Sequence, residues 1–182
     1  MITISSYSGG GKTAIAAALA HSHDVLLIQF DEIDSLMAWH GDYGKWLAQG
    51  ADYEEFDLRR MKDYVTEQAL REKPRGIVFD YPFGRLHSAF KSKIDLAVFI
   101  DTPLDVAMAR RLLRDMPQEG HTIREWLENE LQGYLTLARR AYLEMARQVK
   151  PTCDLVIDGT QTIDAIRQEI EREAAKRGLL NA

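Results

Sequence analysis

Cys153 is the only cysteine in the 182 residues, so neither an internal disulfide nor a cysteine-rich metal site forms. That usage suits a reducing compartment, and the expectation is a cytoplasmic protein. No apolar run approaches the roughly 20 residues that a membrane helix needs. A first strand that reads from Met1 leaves no room for a signal peptide. Positive charge is not in excess either: 23 Lys and Arg against 28 Asp and Glu give a net charge of −5. This speaks against a nucleic-acid backbone as the main partner. His40 and His87 have no companions at metal-ligand spacing and read as surface or core histidines. Repeats and low-complexity linkers are absent. What remains is one domain over 1–182, a monomer or homodimer, with 46% hydrophobic and 28% charged residues, ordinary globular values.

The chain opens with chemistry. Met1-Ile2-Thr3-Ile4 is a short β-branched run and Thr13-Ala14-Ile15-Ala16-Ala17-Ala18-Leu19-Ala20 is strong helix former. Between them lies Ser6-Tyr7-Ser8-Gly9-Gly10-Gly11-Lys12-Thr13. The phosphate-binding pattern at such a junction is G-x-x-x-x-G-K-S/T, and only its first letter is missing. Three glycines let the backbone curl so that N–H groups point inward, and the helix N-terminus adds its positive end. Ser8, Gly9, Gly10 and Gly11 would cradle phosphates, Lys12 would reach the β- and γ-phosphates, and Thr13 would offer its hydroxyl to Mg²⁺. Serine enters the left-handed region less readily than glycine, so a positive φ at Ser6 would weaken the loop.

Buried-strand signals recur at 2–5, 25–30, 76–79, 96–100 and 155–157, mostly as continuous apolar runs. Such runs fit parallel strands covered on both faces. Helical patterns separate them. Thr102-Pro103-Leu104-Asp105 reads as N-cap, N1 proline and N3 acid of a helix to about Arg114. Thr122 with Glu125 reads as a second capping box, ahead of a helix to about Gln148. The fold class is α/β: a doubly wound five-stranded parallel sheet of the P-loop type, with helices on both faces and a helical lid. Four strands end in acids: Asp31, Asp80, Asp101 and Asp158. Ligands bind beyond the carboxyl ends of such strands. Asp101 and Asp158-Gly159 read as turn residues, so Asp31 and Asp80 have the better claims.

On the helix that begins near Pro103, Arg110, Arg114 and Arg111 fall at about 0°, 40° and 100° on the helical wheel, with the apolar residues opposite. Alone this is a solvated basic face. Beside a phosphate loop it supplies forked donors for a moving phosphoryl group. Asp115 to His121 reads as a cover, within a lid at about 110–122. The segment at about 32–60, rich in aromatics, Gly and Asp, reads as a substrate-binding insertion. Tyr43, Trp46, Tyr53 and Phe56 in it either stack on a base or pack an irregular segment.

These residues together resemble the P-loop small-molecule kinases, most closely the uridine kinase and phosphoribulokinase-like branch. Ser8, Gly11, Lys12 and Thr13 fit the G-x-S-x-S-G-K-T loop, and the stretch from Ile94 to Asp115 is similar to the branch's lid-bearing segment. Val149 to Asp158 is similar to its last-strand approach. Gln29-Phe30-Asp31-Glu32-Ile33-Asp34 departs from its acidic motif, and Asp80-Tyr81-Pro82-Phe83-Gly84-Arg85 also looks like a turn of nucleoside monophosphate kinases. The resemblance implies an ATP- and Mg²⁺-dependent kinase of a small metabolite, a nucleoside-like acceptor being favoured. It makes Asp31 the general base, with Asp34 as competitor or substrate ligand. Asp80 becomes a metal-holding acid with Thr13. Arg85, Tyr53 and Arg111 become substrate contacts, and Arg110 and Arg114 the lid pair, Arg110 against adenine. Gly159 and Thr160 would pass the adenine ring. A nucleoside monophosphate kinase and a slow ATP-binding regulatory module are the rival readings.

Overall fold

The computed structural model describes residues 1–117 and 122–180. Strands β1 (Ile2–Ser5), β2 (Leu26–Gln29), β3 (Ile77–Asp80), β4 (Leu96–Asp101) and β5 (Leu155–Asp158) form one sheet in the order β2-β3-β1-β4-β5. Every pairing is parallel. The helices are α1 (Lys12–His23), α2 (Phe30–Ile33), α3 (Tyr43–Ala48), α4 (Arg59–Glu72) and α5 (Ser88–Lys91), followed by α6 (Leu104–Asp115), α7 (Ile123–Gly133), α8 (Arg139–Val149) and α9 (Ile163–Lys176). No helix among the described residues is long and apolar enough to cross a membrane.

Strand alternation explains the continuous apolar runs. Ile2 and Ile4 of β1 and Leu96, Val98 and Ile100 of β4 face α1 and α9, with Ile15, Leu19, Ile166 and Ile170. Ala97 and Phe99 of β4 and Phe79 of β3 point the other way, toward Met61 and Val65 of α4, Phe90 of α5 and Met145 and Val149 of α8. Successive side chains point to opposite faces, so a strand covered on both sides reads as a near-continuous apolar run, as β4 does, while β1 keeps the buried hydroxyls of Thr3 and Ser5. β1 is the middle strand of the sheet, and the loop that leaves it emerges between the ends of β3 and β4, the place where doubly wound sheets bind ligands.

The boundaries correct several expectations. β2 ends at Gln29, and Phe30 and Asp31 already belong to α2. Pro103, not Thr102, is the N-cap of α6, because the Thr102 hydroxyl is drawn away to donate to the Gly10 carbonyl at 2.8 Å. Thr122 precedes α7 but makes no side-chain cap bond. Between α7 and α8 the chain passes through a π-helical turn, Tyr134–Ala138, which the apolar spacing did not announce. Of the expected cover at 115–121, residues 118–121 lie outside the described residues.

The segment from 32 to 60 is short helices and turns folded over the face that carries α4. Trp46, Tyr53 and Phe56 are buried there with Phe83, and the Phe56 and Phe83 rings stack at 5.4 Å. Packing, not an open stacking surface, is the fate of these aromatics. Glu54 pins the segment down by accepting from the Ser88 backbone N–H and hydroxyl at 2.6 and 2.8 Å. His87 is a core histidine, its Nε2 2.8 Å from the Phe56 carbonyl and its Nδ1 accepting from Ala89 N–H. Burial pushes the Cys153 thiol up to about 12, which leaves it unreactive at neutral pH.

Candidate active site

The loop between β1 and α1 needs glycine at 9, 10 and 11, for positive φ or for close approach. Gly11 has φ +97° and Gly9 has φ +80°, in the left-handed region. A Cβ on Gly9 would stand 2.0 Å from the Ala107 carbonyl of α6, so the loop and that helix touch through backbone. A Cβ on Gly10 would stand 1.8 Å from Ser6 Oγ. Ser6 has no positive φ, so the missing first glycine carries no backbone strain. Its buried hydroxyl instead donates to the Ile100 carbonyl at 2.8 Å and ties the loop to β4. Tyr7 adds a second tie through its hydroxyl to the Thr102 carbonyl, and burial beside Asp101 pushes its phenol up to about 12. α1 starts from Gly11 without a side-chain cap, which leaves its first N–H groups for the loop's concave side.

Lys12 and Thr13 sit at the head of α1 and face two acids. Thr13 Oγ1 donates to Asp80 Oδ2 at 2.5 Å. Lys12 Nζ stands 3.5 Å from Asp80 Oδ1 and 3.7 Å from Asp31 Oδ2. Asp80 is 1% exposed and its Oδ1 accepts no hydrogen bond among the described residues. Burial pushes the Asp80 carboxyl up, and Lys12 and the Thr13 bond pull it back. Asp31, in the first turn of α2, is by contrast largely open to solvent, its side chain 73% exposed. One acid is thus buried and fixed, and the other is accessible. A buried carboxylate oxygen that among the described residues has an ion pair but no hydrogen bond, next to the Thr13 hydroxyl, would fit a Mg²⁺. Among the described residues no group of three His, Cys, Asp or Glu side chains forms an all-protein metal cage.

The three arginines of α6 go to three places. Arg110 Nη1 donates to the Gly159 carbonyl at 3.0 Å. It lines a cavity of about 280 Å³ with Gly11, Ile15, Gly159, Gln161 and Ile166, open beside the phosphate loop. Arg111 is mostly buried, paired with Glu130 of α7, and its Cβ lies 3.2 Å from where a Cβ on Gly9 would stand. Arg114 is exposed and chelated by Asp115, whose bonds raise its pKa together with the nearby Asp31 charge.

Other residues expected here are elsewhere. Arg85 does not reach the crevice: its guanidinium donates to the Ile94 carbonyl and to Asp154, just before β4 and β5 at the far end of the sheet. Tyr53 is 6% exposed within the aromatic packing. Thr160 turns away to bond Asp158 Oδ1 through both N–H and hydroxyl, and Gln161 takes its place at the cavity. Asp34 is exposed in a 3₁₀ turn, and the ion pairs of Lys12 are with Asp31 and Asp80. Asp101 pairs with Lys150 at 2.7 Å. Sequence reasoning missed Tyr142, whose phenol faces Ser8 and the Arg111 charge. It read only as one more apolar position on its helix.

A five-stranded parallel sheet, a glycine loop on its central strand and a lysine between two carboxylates define a P-loop kinase. Residues 60–165 match the profile of the Phosphoribulokinase / Uridine kinase family, a span that begins beyond the phosphate loop. A uridine kinase of Borrelia duttonii is 39% identical over 183 residues, covering 86% of this chain and 85% of that protein. A uridine kinase of Tolumonas auensis is 30% identical over 93 residues, covering 50% of this chain and 42% of the relative. The fold is shared with shikimate kinase from Bacteroides thetaiotaomicron, at a TM-score of 0.56 and 17% identity over 96% of this chain and 97% of that one. It is also shared with deoxyadenosine kinase from M. mycoides, at 0.52 and 14% over 96% and 98%. The chain belongs to the phosphoribulokinase/uridine kinase family.

Proposed function

We propose that this chain transfers the γ-phosphate of ATP to a hydroxyl of a small nucleoside-like acceptor. The observation that carries the reading is the convergence of Lys12 and Thr13 from α1, Asp31 from α2 and Asp80 from β3 through contacts of 2.5 to 3.7 Å. A loop that only held nucleotide would have no use for an accessible carboxylate at Asp31. The nucleoside-like acceptor rests on the relatives, which are uridine kinases.

In this reading the adenine occupies the cavity between Arg110 and Gln161, and Ser8 to Thr13 wrap the phosphates. Lys12 leaves its carboxylates for the β- and γ-phosphate oxygens. Thr13 and Asp80 would hold Mg²⁺, which when bound would offset charge on the phosphates. Asp31 accepts the acceptor's hydroxyl proton as the new O–P bond forms at the γ-phosphorus. The bond from that phosphorus to the β,γ-bridging oxygen breaks, and ADP leaves. Arg114 neutralises the charge that spreads over the moving group. Asp34 and the opposite wall of the crevice contact the acceptor. Tyr53 packs in the aromatic cluster and Arg85 is held at the far end of the sheet, so neither contacts the acceptor.

The test is transfer from ATP and Mg²⁺ to a pool of nucleosides, nucleotides and sugars, read as a mass gain of one phosphate. A nucleoside gaining that mass with the protein, and not with Lys12→Ala, is the expected result. A sugar or nucleotide as the only product would discard the acceptor class, and no product with any member would discard the transfer. Arg114→Ala is expected to lower kcat by about 10³-fold, the scale of an arginine acting on a transferring phosphate. KM for ATP should change far less, and equal losses in both would deny Arg114 its transition-state role.

A further inference from the structure

We infer that Glu130 is a positioning residue that holds Arg111 onto the phosphate loop, so that Arg111 serves the donor phosphates and not the acceptor. The inference rests on the ATP site proposed above and adds a residue from α7 to it. Arg111 leaves α6 where that helix touches Gly9, and its side chain is 18% exposed. Glu130 takes its Nη2. The Nε is buried and has no acceptor among the described residues. An unpaired buried N–H is costly, and a guanidinium offers five donors in a rigid fork. Glu130 engages one end of the fork, and the unpaired Nε lies three bonds from a Cβ that packs against Gly9. The acceptor chemistry that fits there is a phosphate oxygen.

The π-helical turn explains how the arrangement is reached. In an unbroken α-helix, Glu130 and Tyr142 would stand about 120° apart, at 100° for each residue. The wider turn Tyr134–Ala138 advances less per residue and takes up much of that offset. Glu130 before it and Tyr142 after it then both face Arg111, Glu130 by the ion pair and Tyr142 by its phenol next to Ser8. A helix that is costly to distort is distorted at the point where distortion brings these groups to the loop.

The experiment is calorimetric titration of ATP with Mg²⁺ into the wild type, Glu130→Gln, Arg111→Ala and the double variant, with thermal melts of each. Glu130→Gln keeps the shape and removes the charge. It is expected to weaken ATP binding by about tenfold, and Arg111→Ala by at least as much. The double variant is expected to bind no more weakly than Arg111→Ala alone, since Glu130 acts only through that arginine. If Arg111→Ala loses its cooperative melt, Arg111→Lys takes its place in the cycle. Multiplicative losses would make Glu130 a structural residue and overturn the inference, as would unchanged or tighter binding in Glu130→Gln. A wild type that does not bind ATP would remove the donor site itself, and this inference with it.

Discussion

Asp31→Asn is expected to lower phosphoryl transfer by about 10²- to 10⁴-fold, the span typical of a lost general base. ATP binding should hold or tighten slightly. Asparagine cannot take a proton from the acceptor hydroxyl, yet it fills the same place in the first turn of α2. The Asp31 carboxylate lies 3.7 Å from Lys12 Nζ and competes for that cation when no phosphate is present. Removing its charge frees Lys12. The measurement is kcat with the identified acceptor alongside the ATP dissociation constant, for Asp31→Asn and Asp34→Asn in parallel. Near-wild-type turnover in Asp31→Asn, with turnover lost in Asp34→Asn, would move the base one helical turn on. Loss of ATP binding in Asp31→Asn would show that the carboxylate organises the loop and does no proton chemistry.

Lys12→Ala should be as severe for a different reason. It removes the cation proposed to meet the phosphates, and one charge-stabilising donor is worth about 10²- to 10³-fold in kcat. It also leaves Asp80 and Asp31 facing each other without the charge between them. Asp80 is buried, and its carboxyl is already pushed up by burial against the pull of Lys12. Without Lys12 it rises further. A carboxyl whose folded pKa is raised binds its proton more tightly folded than unfolded. Its contribution to stability is therefore present at low pH and lost as pH rises from about 4, the ordinary aspartate value, through the raised one. The melting temperature of Lys12→Ala should accordingly fall below the wild type at pH 8 and recover part of that difference at pH 5. A deficit that is the same at both pH values would mean that Lys12 does not offset the Asp80 charge.

How much of this was legible in the sequence differs element by element. β3 and β4 read clearly because both faces are covered and nearly every position is apolar, and β1 read from its β-branched run ahead of the glycine loop. α4, which begins where the expected insertion ends, was not named as a helix, since only Met61 and Val65 of its fourteen residues are buried. A stripe that thin barely marks the period. The Thr122 capping box has the right letters, yet Thr122 makes no cap bond. At Thr102 a tertiary acceptor, the Gly10 carbonyl, outcompeted the local cap. Arg85 was read from a turn that looked like a substrate site. Its long side chain instead reaches Asp154, 69 residues away in the chain.

The sequence by itself determined what is settled within a few residues: the strand, loop and helix order around Gly9 to Thr13, the need for glycine at positive φ, and the adjacency of Lys12 and Thr13 at a helix start. These depend on local dihedrals and on hydrogen bonds of short span. Tertiary structure alone decided what each group faces. It set Lys12 between Asp31 and Asp80, turned Ser6 from an apparent defect into a tie to β4, and buried Tyr53. It also sent Arg110, Arg111 and Arg114 to the cavity beside Gly159, the loop and the open side. Periodicity states which residues share a face. Only the packing of helices against the sheet, and one π-helical turn that rotates α8 relative to α7, states what that face meets.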